Sequence, residues 1–82
     1  MTKIRTLSLT ELKQNEEGVV KTLNGGKAFK QKLNSMGIRT GKKITKISNM
    51  VMNGPVTVRV GNTNIAIGRG MADRIQIKIY VD

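Results

Sequence analysis

The chain has 82 residues with 15 Lys and Arg against 5 Asp and Glu, a net charge of +10, and neither His nor Cys. That composition excludes a disulfide framework, thiol nucleophiles, imidazole bases and the imidazole or thiolate sites that transition metals favour. A chain this short forms one domain, 1–82, and buries only about 60% of its unfolded surface.

No apolar run is long enough for a signal peptide or a membrane span, so a cytoplasmic setting is expected. The positive field attracts nucleic acid, anionic lipid or acidic protein faces and does not choose among them.

Ser8-Leu9-Thr10-Glu11 has capping-box spacing and supports a single helical turn, because the polar stretch to Glu17 cannot continue an apolar face. Gly18 to Leu23, with Val19, Val20 and Thr22, reads as the first strand and runs into the turn signal Asn24-Gly25-Gly26. From Lys27 the period changes: Phe29, Leu33 and Met36 fall on one stripe of a short amphipathic helix. Gly37 suits the left-handed position after that helix, and Ile38 then packs back on Leu33 in a Schellman stop.

Lys42 to Met52 is β-like, but Ile44 and Ile47 stand three apart, which requires a bulge or bend. Asn53-Gly54-Pro55 is a turn. Val56–Val60 and Ile65–Ile67 both alternate and form a hairpin; a four-residue turn, Gly61–Asn64, would set Val60 opposite Ile65 and Val58 opposite Ile67. Gly68–Asp73 makes a loop or one helical turn. Ile75, Ile77, Ile79 and Val81 then alternate with Gln76, Lys78 and Tyr80 in the last strand.

Strands this short, with glycines at the corners, avoid exposed edges by curling into a barrel. The expected architecture is mainly β: a small five-stranded SH3-like barrel with one short amphipathic helix between its first two strands.

The series Leu9-Thr10-Glu11-Leu12, Glu16-Glu17-Gly18, Gly25-Gly26, Phe29-Lys30-Gln31-Lys32-Leu33, Met36-Gly37-Ile38, Gly41 and Met52-Asn53-Gly54-Pro55-Val56, closed by the alternating strands, resembles the FeoA family over about residues 7–79. The resemblance implies an SH3-like cytosolic accessory of FeoB, the membrane ferrous-iron transporter with a GTPase domain. Similar domains also end some iron-dependent repressors, so a regulator domain or a nucleic-acid-binding module is the alternative. The helix carries lysines where related helices are often arginine-rich, and lysine lacks the forked geometry for bidentate carboxylate contacts.

The residues weigh against chemistry in this chain. Iron ligands are restricted to Glu11, Glu16, Glu17, Asp73 and Asp82, and adjacent Glu16 and Glu17 point to opposite faces of a strand, so neither a metal site nor a cofactor is expected. Gly25-Gly26-Lys27 lacks P-loop spacing, and no enzymatic constellation appears. Met50 and Met52 share a strand face and suit core packing or an apolar partner contact.

Lys27 and Lys30 occupy one flank of the helix and Lys32 the other, at about 100° per residue. Such lysines could meet an acidic protein patch or, at about 1 kcal/mol each, an anionic membrane surface. With Phe29 on the apolar stripe and Tyr80 the one other aromatic, base stacking has little to work with and no specific nucleic acid is expected. The partner-binding candidates are therefore Lys27, Lys30, Lys32, Met50 and Met52, with FeoB the expected partner and self-association left open.

Overall fold

Apolar residues at every second position build most of this molecule, and the places where that alternation fails shape the rest. A computed structural model describes residues 3–48 and 54–81. In chain order the elements are β1 (Lys3–Ser8), a 3-10 turn (Leu9–Glu11), β2 (Glu17–Leu23), α1 (Lys27–Ser35), β3 (Lys43–Ser48), β4 (Val56–Val60), β5 (Thr63–Ile67), α2 (Arg69–Ala72) and β6 (Ile75–Val81). The strands form one antiparallel sheet in the order β1-β6-β2-β3-β4-β5.

The mainly β class holds, with two corrections. Among the described residues six strands replace the expected five, and their hydrogen-bonded order runs from β1 to β5 as two ends without closing. The additional strand is β1, ahead of Gly18. Its inward positions are Lys3, Arg5 and Leu7, paired with Val81, Ile79 and Ile77, so cations stand where apolar alternation would have marked a strand. The helix lies between β2 and β3, the first two strands read from the sequence.

Leu9, Leu12, Leu33, Ile38, Ile44, Ile67, Ile75 and Ile77 are fully buried, each contributing about 1.5–3 kcal/mol of apolar transfer. Gly18 lies under this core, where an added Cβ would stand 2.9 Å from the Lys78 carbonyl oxygen. Only glycine lets β2 approach β6 so closely.

The β3 irregularity falls where the spacing placed it. Thr45 pairs with Arg59 and Lys46 with Val58, but Ser48 pairs with Thr57, leaving Ile47 as the extra residue. Ile44 and Lys46 consequently share the inner face, and both are buried.

The β4–β5 hairpin has a tighter turn than the sequence suggested. Val60 pairs with Thr63, Val58 with Ile65 and Val56 with Ile67, so two residues, Gly61 and Asn62, connect the strands. Gly61 has φ +62° and occupies the first turn position, the type II′ preference, whose twist matches the flanking strands. A slip of two preserves the face, so the expected apolar side is the buried one despite the changed register.

Candidate functional site

Gly26, with extended backbone, is the N-cap of helix α1, and the helix's stop follows the Schellman pattern. Ile38 N–H donates to Leu33 O at 2.9 Å and Gly37 N–H to Asn34 O at 3.0 Å, with Gly37 at φ +86°. This cap drives Ile38 into the core. Leu33 is the one fully buried helix side chain, flanked by half-buried Phe29 and Met36. The helix therefore rests on a narrow seam and turns most of its surface outward.

Lys27, Lys30 and Lys32 are all exposed on that outward surface. Lys30 borders an open groove of about 450 Å³, with Lys21 from β2 and Arg39 from the loop after α1. No carboxylate lines this groove. The loop bearing Arg39 is held against β2: Gly41, at φ +90°, donates its N–H to Val20 O at 2.8 Å, and Val20 N–H donates to Lys42 O at 2.9 Å. Lys27 and Lys32 do not line this groove, so Lys30 is the one helix lysine that borders it with Lys21 and Arg39. Met50 and Met52 lie outside the described residues.

The described carboxylates, Glu11, Glu16, Glu17 and Asp73, are engaged within the chain. Glu11 Oε1 accepts from Ser8 N–H at 2.9 Å and Ser8 Oγ at 3.0 Å, and these bonds, the backbone one foremost, hold its pKa below the usual range. Glu16 Oε1 accepts from Lys13 N–H at 2.9 Å, and Asp73 Oδ1 accepts from Thr10 Oγ1 at 2.7 Å. Glu17 faces Lys43 at 3.8 Å. Among the described residues no three His, Cys, Asp or Glu side chains come together. By contrast, no ion pair among those residues involves Lys27, Lys30 or Lys32.

Lys46 is the residue that sequence reasoning missed. Only 2% exposed, it donates from Nζ to Leu12 O at 2.6 Å and Thr10 O at 3.0 Å. Its backbone N–H donates to Glu16 O at 3.0 Å, and its O accepts from Asn15 N–H at 2.7 Å. Burial pushes its pKa down, opposed by the nearby Glu16 carboxylate. This lysine clamps the segment between β1 and β2 onto β3 and is unavailable to a partner. The one sequence signal was its spacing from Ile44, which puts both on the same face of a strand.

Phe29 lies 5.7 Å from the Arg74 guanidinium, ring centroid to Cζ, a cation–π distance. Half-buried and covered in this way, it offers little to a stacking base. Tyr80 is exposed, at the far end of β6. None of the described helices is long and apolar enough to cross a membrane.

The chain is similar to known proteins along almost its whole length. It is 44% identical over 66 residues to the putative Fe(2+) transport protein A of Methanocaldococcus jannaschii, an alignment covering 80% of this chain and 78% of that one. A crystal structure of an iron uptake regulatory protein, FeoA, superposes with a TM-score of 0.82 at 34% identity, covering 92% of this chain and 99% of the other. The zinc-complexed FeoA of Stenotrophomonas maltophilia, described as a prokaryotic SH3 domain protein, has a TM-score of 0.70 at 23% identity, over 89% of this chain and 95% of that one, and shows the SH3-like fold. The family model of the FeoA domain matches residues 7–79, and the chain belongs to the FeoA family, an accessory family of ferrous-iron transport.

Proposed function

We propose that this protein is a cytosolic accessory of ferrous-iron uptake that docks through the basic face of α1 on an acidic patch of the cytosolic part of a FeoB-type transporter and adjusts its assembly or gating. One observation carries the reading: in a FeoA-family chain, the described carboxylates are engaged internally while Lys27, Lys30 and Lys32 stand exposed on α1 with no ion pair among the described residues. A surface of that kind offers charge to a partner at no cost in internal bonds. Met50 and Met52, beside the Asn53-Gly54-Pro55 turn in sequence, supply an apolar second contact.

The same charge supports a weak, salt-sensitive hold on anionic lipid, about 3 kcal/mol from three lysines. The chain itself performs no chemistry in this scheme; iron and nucleotide remain with the transporter. The match to the M. jannaschii relative over most of both chains favours the accessory reading over that of a repressor domain.

Co-purification of the chain with the cytosolic part of a FeoB transporter, across a salt series, tests the proposal. Retention that weakens with salt and is abolished by Lys30→Glu in a folded protein is the expected result. Retention on nucleic acid in place of the transporter, with a steep salt slope, would reverse it.

A further inference from the structure

The described residues contain three exposed large hydrophobic side chains, Ile4 at 61%, Tyr80 at 57% and, less so, Val81 at 38%, and all three lie at one end of the β1–β6 pair. Ile4 stands directly across from Tyr80, and Val81 across from Lys3. Scattered surface apolar residues are ordinary, but a directly paired, exposed Ile4 and Tyr80 on one face at the end of a sheet, with Val81 beside Lys3 on the other, is not. They sit where β1, paired on one side with β6, ends the sheet order and, among the described residues, has no strand on its other edge.

The two faces of that edge differ in chemistry. Ile4 and Thr6 lie on the outer face with Tyr80 and Lys78, their pair partners, while Lys3 and Arg5 lie on the other face and are exposed. The carboxylate in the field of Arg5, Glu11, is already hydrogen-bonded to Ser8. Because the Ser8 N–H donates to Glu11, the usable edge extends from Lys3 to Leu7.

We propose that the β1 edge accepts an additional strand from a partner protein, an extended segment alternating acidic and apolar side chains, with the acids over Lys3 and Arg5 and the apolar residues beside Ile4 and Tyr80. Main-chain hydrogen bonds to the edge hold such a segment and alternate side chains select it. A second copy of this chain fits less well, because antiparallel self-pairing of β1 centred on Ile4 or on Arg5 sets cation against cation, and centred on Thr6 it offers Arg5 no acid. The surface is separate from the outward face of α1, and the test below uses this chain alone, so its failure leaves the transporter reading standing.

The full chain is titrated with the blocked peptide Glu-Val-Glu-Val-Glu-Val, followed by amide NMR and amide hydrogen exchange, beside a Lys-Val peptide and a scrambled peptide with its acids clustered. The expected result is binding of the alternating acidic peptide alone, with slowed exchange at β1 amides between Lys3 and Leu7. Ile4→Thr and Arg5→Glu should each weaken binding about 5-fold, the factor that follows from about 1 kcal/mol per lost cross-strand contact, while Lys42→Glu, an exposed charge reversal away from β1, leaves it unchanged. Both altered side chains are exposed, and thermal unfolding checks that the variants stay folded. Equal binding of the scrambled peptide, shifts centred on α1, or β1 protection that grows with protein concentration without peptide would overturn the proposal.

Discussion

Lys46 and Lys30 are the same side chain in opposite settings. Lys46 lies on the inner face of β3, buried and donating to two main-chain carbonyls, whereas Lys30 lies on the outer face of α1 beside a groove with two further cations. Both count equally in the net charge of +10. One is consumed in holding the frame, and the other stands exposed to solvent. A basic composition thus overstates the exposed charge, and burial decides which cations any partner could meet.

The sharpest way to break this contrast is to neutralise each lysine. Lys46→Met keeps volume but strands the Thr10 and Leu12 carbonyls, and should cost about 2–3 kcal/mol in urea unfolding, whereas Lys30→Met should stay within about 0.5 kcal/mol. Equal losses would erase the distinction.

The pH dependence sharpens it. Because burial lowers the Lys46 pKa, the unfolded chain holds that proton more tightly, so stability rises as pH climbs from the folded value towards the ordinary 10.5. Alkaline titration of unfolding should show this component in the parent and not in Lys46→Met.

Gly37→Ala probes how far the outer helix depends on the interior. A side chain at φ +86° costs about 1–2 kcal/mol, and loosening the cap should release Ile38 and shift α1 amide resonances in NMR.

Smaller effects belong to the surface. Glu11, with its pKa lowered by the Ser8 bonds, contributes stability that is present above the unfolded carboxylate value and lost as pH falls through the folded one. Glu11→Gln should therefore flatten the acid limb of the stability profile. Smallest of all, changing Lys27, Lys30 and Lys32 together to Gln should leave the melting curve almost unmoved while abolishing transporter retention. Loss of fold in that variant would mean that the α1 face is structural after all.

The order of elements was legible in local chemistry: the stripe Phe29-Leu33-Met36, the Gly37 stop, the Ile44 to Ile47 spacing that demanded a bulge, and the alternation from Ile75 onward each rest on interactions within a few residues. Of the candidate site, the exposure of Lys27, Lys30 and Lys32 was legible, since a helical stripe names its own outer face. Strand β1 was hidden because an edge strand needs apolar residues on only part of one face. The β4–β5 register was displaced by two because Val58 finds an apolar neighbour in either pairing, and the turn geometry of Gly61 decides between them.

Taken by itself, the sequence determined the class, the helix with its cap, and a chemistry without imidazole or thiol, because these follow from composition and short-range spacing. Only the tertiary structure decided that β6 runs between β1 and β2, that Lys46 turns inward to two carbonyls, and that Ile4 and Tyr80 meet at an open edge. Those outcomes join residues tens of positions apart, where pairing across the sheet and the loss of water decide, and no local pattern records them.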